Sequence, residues 1–280
     1  SFENSSPKSI ERIKQVYKSS NNKHNINLEV FKGNLCDKDF IKRVFTKISK
    51  DYKEIHGVIH FAGFKAVAES IIKPLSYWRN NVIGTINLLE IMEEFKCNNL
   101  VFSSSATVYE PKDNLILEES SRLGPINPYG NSKLTVEMIL KDLFKSRVKN
   151  WKFASLRYFN PIGAHSSGLL GEDPKDIPNN IFPLITNTAL GIQKILKIYG
   201  NDWPTPDGTP IRDYIHVMDL AFCHIKVLEF LMNSESEYLN LNIGTGIGTS
   251  VLDLVKTFER INNVKVPFVF DKRRLGDAPY

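Results

Sequence analysis

The segments NLVFSSS at 99–105 and KFASLRYFN at 152–160 are short apolar runs, and an amphipathic stretch of helical period lies between them at 128–146. A strand, a helix and a second strand in this order form the repeating unit of a parallel sheet, because the crossover helix returns the chain beside the first strand. These segments therefore predict an α/β fold.

The same alternation continues in both directions along the chain. Before residue 99, the pattern predicts strands at 28–34 and 57–63 and helices at Lys8–Tyr17, Asp37–Tyr52 and Pro74–Lys96. After Asn160 the elements become shorter, with helices predicted at 178–190, 219–232 and 250–262 and strands at 195–200, 238–244 and 266–270. We expect a doubly wound, Rossmann-like parallel sheet at 1–160 and a smaller substrate-facing part at 161–280, with some later segments returning to the main sheet.

The composition and charge of the chain limit the classes of protein to which it can belong. No apolar run approaches the roughly 20 residues that cross a bilayer, and the first residues lack the layout of a secretory signal, so we expect a cytoplasmic protein without a membrane segment. The net charge of +5 comes from lysines spread along the whole chain, which favours a solvated surface over a nucleic-acid interface. Cys36, Cys97 and Cys223 have no metal-ligand spacing, which favours reduced structural thiols.

A glycine-rich turn is missing where a dinucleotide-binding sheet normally carries one. Such sheets open with a strand, a glycine cluster that lets the backbone approach a pyrophosphate, and a helix N-terminus. The first hundred residues hold no glycine cluster. Two interpretations follow: the fold binds no dinucleotide, or the chain as given lacks its first strand-helix unit.

Ser105, Tyr129 and Lys133 are the candidate catalytic residues. A Tyr and a Lys four residues apart share one helix face, and a nearby ammonium favours the phenolate. Tyr129 then accepts a proton from a substrate hydroxyl, and Ser105 at the carboxyl edge of the sheet hydrogen-bonds the same oxygen. The alternatives are an exposed helix pair for Tyr129 and Lys133, and hydroxyls that cap the next turn for residues 103–105.

An ordered set of motifs carries a family resemblance along the whole chain: HFAG, FKAVAES, NNVIGT, FSSSATVY, PYGNSK, LRYFNPIGAH, GEDP, IPNN, GNDWPTPDGT, RDYIHVMDLA and RRLGD. The chain resembles the UDP-glucose 4-epimerases (UDP-galactose 4-epimerases) of the extended short-chain dehydrogenase/reductase family, isomerases of galactose metabolism. In that family the glycine-rich turn lies just before the point where this chain begins, and further helices follow Tyr280. The resemblance thus implies a chain truncated at both ends, and we expect these 280 residues alone to show no turnover and poor stability.

The resemblance implies a tightly held NAD and reversible C4 epimerisation of UDP-glucose and UDP-galactose. Tyr129 as phenolate takes the proton of the 4-hydroxyl while the C4 hydride passes transiently to NAD. Lys133 holds the nicotinamide ribose and keeps Tyr129 ionised, and Ser105 hydrogen-bonds the 4-oxygen. The 4-keto sugar turns over in the pocket, and the hydride returns to its opposite face.

The resemblance also implies which residues hold the cofactor: Asn34, Leu35, Phe61, Ala62, Gly63, Lys65, Asn81, Ser103, Tyr129, Lys133 and Tyr158. Asn34 departs from the Asp common at this position, which puts the adenine geometry in doubt. Strand-end packing is the alternative interpretation of Tyr158 and Phe159.

The residues implied for the nucleotide sugar are Lys65, Ser105, Tyr129, Asn160, Asn180, Ile181, Tyr199, Arg212, Tyr214, Arg274 and Asp277. Arginine forks suit a diphosphate, although Arg212 has the alternative of pairing with its neighbour Asp213. Tyr199 fits either a uracil-stacking wall or the core. His165 and His216 have no partners at ligand spacing, so we expect no metal, and Asp219 is predicted to cap the helix that follows His216.

Other functions are disfavoured by what the sequence lacks or keeps. A nucleotide-sugar 4,6-dehydratase has the same pair but needs an added acid and base, and no carboxylate follows Ser105 until Glu110. A UDP-glucuronate enzyme requires a cationic pocket for the C6 carboxylate, and none is apparent in the sequence. A non-enzymatic dinucleotide sensor is expected to lose the Tyr or the Lys, whereas this chain has both Tyr129 and Lys133. A fragment without its phosphate loop remains a sugar-nucleotide binder at most.

The resemblance further implies a homodimer packed through the helices at 74–96 and 128–146.

Overall fold

The structure, a computed structural model, describes residues 2, 4–19, 27–111, 116–146, 150–175, 178–274 and 276–280. The α-helices are α1 Lys8–Ser19, α2 Lys38–Tyr52, α3 Val67–Ile72, α4 Pro74–Tyr77, α5 Gly84–Glu94, α6 Pro128–Ser146, α7 Ile181–Ala189, α8 Val217–Asn233 and α9 Val251–Asn262. The strands are β1 Val58–His60, β2 Asn99–Ser103, β3 Lys152–Tyr158, β4 Asn160–Ile162, β5 Leu196–Tyr199, β6 Ile211–His216, β7 Glu237–Ile243, β8 Gly248–Ser250 and β9 Phe268–Asp271.

The main sheet is parallel, with the strand order β1-β2-β3-β7 among the described residues. Alternate residues of β2 point to opposite faces: Leu100 and Phe102 join a core with α5 and α6, whereas Val101 joins a core with α8. Helices therefore cover both faces of the sheet, as the α/β prediction of a doubly wound sheet requires.

Smaller sheets lie beyond the main one. β4, β6 and β8 form one sheet, and β5 pairs with β9 in another. The predicted strand 152–160 is divided, because the chain leaves the main sheet after Tyr158 and β4 pairs with β6 instead. Because the chain changes sheet at residue 159, the end of β3 lies beside the second part of the chain, residues 161–280.

Two sequence predictions differ from the structure. Residues 28–34 are extended but pair with no strand in the described part of the chain, so the predicted strand is wrong. Their apolar alternation matches a strand, yet a strand also requires a hydrogen-bonded neighbour, which the pattern cannot supply. The predicted helix at 74–96 is helical only to Glu94, and a π-helical segment, Trp78–Ile83, interrupts it between α4 and α5. Such segments are frequent at functional sites.

Within the described residues, no helix is both long enough and apolar enough to span a membrane. Cys36, Cys97 and Cys223 are all free thiols.

Candidate active site

The three predicted catalytic residues lie together at the carboxyl edge of the main sheet. Ser105 follows the end of β2, and Tyr129 and Lys133 occupy the first two turns of α6. Ser105 and Tyr129 border the main cleft of the protein, which encloses about 2040 Å³. Lys133 is buried behind them, with 4% of its surface exposed.

Tyr129 is buried, and its phenol interacts with the Ser105 side chain. Burial raises the pKa of Tyr129 above its ordinary value near 10, and the neighbouring Tyr158 phenol adds to this effect. The interaction with the Ser105 side chain opposes both effects and lowers the pKa of Tyr129. Without further positive charge the phenol therefore stays protonated at neutral pH.

Lys133 supplies the nearest positive charge. Its Nζ donates to the Ser103 carbonyl at 2.7 Å and lies 5.9 Å from the centroid of the Tyr129 ring. Burial lowers the pKa of Lys133 to about 8, against the opposing effect of the Glu137 carboxylate. The ammonium is therefore charged at neutral pH, and this charge is lost as the pH rises through about 8.

The start of α6 is fixed by its sequence. Pro128 takes the first helical position, where the missing N–H costs no hydrogen bond. The Asn127 side-chain oxygen accepts a hydrogen bond from the Gly130 N–H at 2.9 Å, as a helix-capping Asn does. This cap sets the first turn of the helix, and therefore the position of Tyr129.

Gly130 is required by close approach to the preceding loop. A Cβ at this position would lie 2.5 Å from the Thr107 carbonyl oxygen and 2.7 Å from the Pro125 side chain. We expect Gly130→Ala to lower both the thermal midpoint and kcat, because overpacking costs about 1–3 kcal/mol and moves Tyr129.

Gly84→Ala is the matched control for that prediction. It also replaces a buried helical glycine, with a gain of about 1 kcal/mol in helix propensity, but its Cβ would meet the Leu35 Cβ at 3.2 Å and the backbone of residues 35–36 only at 3.8–3.9 Å. We expect near-neutral stability and unchanged kcat in Gly84→Ala. Equal thermal midpoints and kcat values for the two variants would contradict the assigned role of Gly130.

A hydrogen-bonded chain that the sequence did not reveal lies beside Lys133. The Tyr158 phenol interacts with the Ser103 side chain, whose Oγ lies 2.9 Å from His224 Nε2. His224 Nδ1 lies 2.8 Å from the Leu220 carbonyl and therefore donates to it, so Nε2 accepts from Ser103. Burial lowers the pKa of His224 and keeps the ring neutral. A His within the apolar helical stretch FCHIKVL was the available signal.

The loop after β1 approaches Lys133 with its backbone. A Cβ on Gly63 would lie 3.2 Å from Asn81 Oδ1 and 3.5 Å from Lys133 Nζ. The Phe61 ring is 59% exposed and lies 4.6 Å from the His224 ring, centroid to centroid. Ala62, which lies between Phe61 and Gly63 in the chain, is exposed.

Asn81, in the π-helical segment, has its side chain engaged by the protein itself. Oδ1 accepts from Phe64 N at 2.8 Å, and Nδ2 donates to Phe64 O and to Ser132 Oγ, both at 3.0 Å. Asn81 therefore holds the loop against α6. The sequence predicted a cofactor contact for Asn81 and did not reveal this structural role.

Asn34 and Leu35 lie away from the cleft. The Asn34 side-chain oxygen accepts from Cys36 N at 2.9 Å, and the Leu35 carbonyl accepts from Asn87 Nδ2 at 3.1 Å. Both contacts shape the turn before α2.

The cleft brings together predicted residues from both parts of the chain. Those that line it are Gly63, Lys65, Ser105, Tyr129, Tyr158, Asn160, Asn180, Tyr199, Arg212, Arg274 and Asp277. Those outside its lining are Asn34, Leu35, Phe61, Ala62, Asn81, Ser103, Lys133, Ile181 and Tyr214.

Two arginines mark the far end of the cleft. The Arg274 guanidinium lies 5.0 Å from the centroid of the Tyr199 ring, and its Nε donates to Asp277 Oδ2 at 3.1 Å. Arg212 donates to the Ala278 carbonyl at 2.9 Å and lies 4.0 Å from Asp277. This end combines cationic forks with an aromatic face, which suits a diphosphate joined to a flat base.

The alternative pairing of Arg212 with Asp213 does not form. Asp213 instead accepts hydrogen bonds from the backbone of Thr245 and Gly246 at 2.7–2.9 Å. Burial lowers the pKa of Arg212, and Tyr214 lies close enough to interact with the same guanidinium.

The middle of the cleft is polar. Glu172 accepts from Lys65 Nζ at 3.3 Å and from Asn180 Nδ2 at 2.6 Å. Asn180 also precedes α7, whose first residue is Ile181. Asn160 pairs with Tyr214 between β4 and β6, and so reaches the cleft from a sheet edge.

One capping prediction is wrong. His216, not Asp219, caps α8: its Nδ1 accepts from Met218 N at 3.2 Å, and Asp219 lies within the first turn. An imidazole lone pair performs the role that the sequence pattern assigned to a carboxylate. Among the described residues, no cluster of three or more His, Cys, Asp or Glu side chains has the geometry to hold a metal ion.

The residues around Lys133 fit the dinucleotide expected from the sequence. An ammonium has three donors, and one protein acceptor, the Ser103 carbonyl, is within hydrogen-bonding distance in the described structure. The remaining donors suit ribose hydroxyls. The glycine backbone of the loop at residue 63 and the exposed Phe61 ring suit a flat heterocycle beside them.

Comparison with known proteins gives a consistent result. Residues 1–272 match the family described as GDP-mannose 4,6 dehydratase. The chain is 46% identical over 278 residues to a UDP-glucose 4-epimerase of Pisum sativum, covering 99% of this chain and 77% of that protein. It is 45% identical over 274 residues to the UDP-glucose 4-epimerase of Bacillus subtilis, with 98% and 77% covered.

A solved structure agrees with these sequence matches. It is that of the UDP-glucose 4-epimerase of Bifidobacterium longum in complex with NAD+ and UDP, which matches with a TM-score of 0.89 and 42% identity. The match covers 98% of this chain and 78% of that one.

Proposed function

This chain belongs to the UDP-glucose 4-epimerases of the extended short-chain dehydrogenase/reductase family, and we propose that Tyr129, Lys133 and Ser105 carry out its C4 epimerisation. The enzyme is an isomerase that interconverts UDP-glucose and UDP-galactose through a 4-keto sugar and uses NAD. The observation that supports our residue assignment is that Ser105 and Tyr129 line the same cleft, while the buried Lys133 ammonium lies 5.9 Å from the centroid of the Tyr129 ring.

Bound NAD would supply the acceptor and then the donor of the C4 hydride, and its positive charge would favour ionisation of the phenol. Lys133 donates to the ribose and contributes its own charge to ionising Tyr129. The Tyr129 phenolate accepts the proton of the 4-hydroxyl, and Ser105 holds that oxygen by a hydrogen bond. After the sugar ring turns, Tyr129 returns the proton to the same oxygen.

The remaining predicted contacts divide between the two ligands. Beside NAD we place Phe61, Ala62, Gly63, Ser103 and Tyr158, with Asn81 holding the loop and Asn34 and Leu35 nearer the adenine. For the nucleotide sugar, Arg212 and Arg274 bind the diphosphate, Tyr199 and Asp277 bind the uridine, and Lys65, Asn160, Asn180, Ile181 and Tyr214 line the remainder. We propose that residues 1–160 mainly hold the cofactor and residues 161–280 mainly hold the nucleotide sugar, with Lys65, Ser105 and Tyr129 reaching the sugar from the first part.

Chromatography of the products tests the function. The full-length protein is incubated with UDP-galactose without added cofactor, and UDP-galactose, UDP-glucose and any 4-keto-6-deoxy product are resolved. Formation of UDP-glucose is the expected result. A keto-deoxy product identifies a dehydratase instead, and no turnover would contradict the proposal.

We place the enzyme in the cytoplasm and propose a homodimer packed through the helical segments 74–94 and 128–146. Leu75 and Ile83 in the first segment and Met138 in the second are exposed apolar side chains. Light scattering of the full-length protein measures the mass, and we expect twice the chain mass; a monomer would contradict this packing.

A further inference from the structure

Behind the catalytic residues lies a fully buried ion pair that the reaction does not use directly. Arg157 lies near the end of β3 and Glu137 in the third turn of α6, and each is only 2% exposed. Arg157 Nε donates to Glu137 Oε1 at 3.0 Å, and its terminal nitrogen donates to Oε2 at 2.6 Å. A bidentate pair of this kind fixes both the distance and the orientation of the two side chains.

The same carboxylate holds the segment that carries Ser105. Ser104 Oγ donates to Glu137 Oε1 at 2.6 Å. Its neighbour Ser103 accepts from Lys133 through its carbonyl at 2.7 Å. Two side chains one turn apart on α6 therefore grip consecutive residues at the end of β2, directly before the catalytic hydroxyl.

The guanidinium extends the network to the other strands. Arg157 donates to the Tyr109 hydroxyl at 3.0 Å, and that hydroxyl donates to Asn242 Oδ1 on β7 at 2.6 Å. The network thus connects β2, α6, β3 and β7 beneath the cleft. Each of its polar groups has a partner, so the network orders this region instead of straining it.

We propose that Glu137 is a positioning residue for the epimerisation: it holds Ser104, and through it the Ser103 carbonyl and the Ser105 hydroxyl, in register with Lys133 and Tyr129. This inference rests on the proposed function. A small displacement of reacting groups is enough to lower catalysis by roughly 100-fold, so a rigid connection between the two catalytic elements has a large effect on rate.

Glu137 also acts on the charge of Lys133. Its carboxylate raises the pKa of Lys133, which burial lowers. Ionisable groups on neighbouring elements also lie near Lys133: His60 from β1 interacts with its charge, and the Tyr129 ring on α6 has its centroid 5.9 Å from Lys133 Nζ. His60 is neutral, because burial and the Lys133 charge lower its pKa to about 3. Glu137 is thus the group that holds Lys133 protonated towards alkaline pH.

The test compares Glu137→Gln with Ser104→Ala in the full-length enzyme. We expect Glu137→Gln to lower kcat roughly 10- to 100-fold with little change in KM, since the grip on Ser104 is weakened but the sugar-nucleotide contacts remain. The alkaline limb of the kcat profile should move to lower pH, because Lys133 loses its proton more easily without the carboxylate. Ser104→Ala should lower kcat without moving this limb.

Asp142→Asn is the matched control, since Asp142 lies on the same helix, loses the same charge and is exposed; its kcat and pH profile should equal those of the wild type. Thermal midpoints are recorded for every variant, and kcat is referred to folded protein. A wild-type kcat and pH limb in folded Glu137→Gln, beside an inactive Tyr129→Phe, would overturn the positioning role alone. An inactive wild type would overturn the proposed function as well.

Discussion

Tyr129→Phe is expected to lower kcat for UDP-galactose by about 10²- to 10⁴-fold, the range that a positioned general base contributes. The variant removes the phenol oxygen, which is the group we assign to proton transfer, and keeps the ring that packs in the wall of the cleft. Ser105 keeps its contacts with Thr107 but loses its partner on α6.

The assay measures UDP-glucose formation, with UDP affinity determined separately by calorimetry. UDP affinity should stay near the wild-type value, because Arg212 and Arg274, which we assign to the diphosphate, keep their contacts with Ala278 and Asp277. Tyr238→Phe is the control: its hydroxyl donates to the Glu137 carbonyl at 3.1 Å and lies outside the cleft lining. Tyr238→Phe removes one hydroxyl, so we expect it to lower the free energy of unfolding by about 1 kcal/mol and to leave kcat unchanged. A kcat within fivefold of wild type in Tyr129→Phe would exclude Tyr129 as the base.

Short-range pattern was sufficient for the elements that carry the catalytic residues. The short apolar run at 99–105 and the helical period at 128–146 were enough to predict where Ser105, Tyr129 and Lys133 lie, because both patterns are local properties of the sequence. The strand predicted at 28–34 is wrong, because a local pattern does not show whether a partner strand lies beside it. Its alternation is local, but the partner that makes a strand is not.

Long-range pairing explains what the sequence left hidden. His224 meets Ser103 across 121 residues, and Arg157 meets Glu137 across 20 residues that include a helix and a strand. A charged residue in an apolar strand such as KFASLRY was a signal for Arg157, yet nothing in the pattern named its partner. The π-helical segment around Asn81 was equally invisible, since its hydrogen bonds to Phe64 and Ser132 arise only in the folded protein.

Arg157→Met is expected to lower the free energy of unfolding by about 3–5 kcal/mol, because it leaves the Glu137 carboxylate buried without its ionic partner. Methionine keeps an unbranched side chain of similar length, so lost packing contributes little of this effect. Urea unfolding of the full-length protein at neutral pH measures it. Lys197→Met removes an exposed pairing with Asp271 and should leave the urea midpoint unchanged.

The double variant Arg157→Met/Glu137→Leu separates stability from catalysis. Replacing both members of a buried pair by apolar residues removes the unpaired charge, so most of the lost stability should return. The kcat should stay low, because leucine neither accepts the Ser104 hydroxyl nor holds Lys133 protonated. A double variant as unstable as Arg157→Met would show that the destabilisation comes from packing, and recovery of kcat together with stability would show that the pair serves only the fold. Restored stability with a low kcat is the result that the buried geometry of this network leads us to expect.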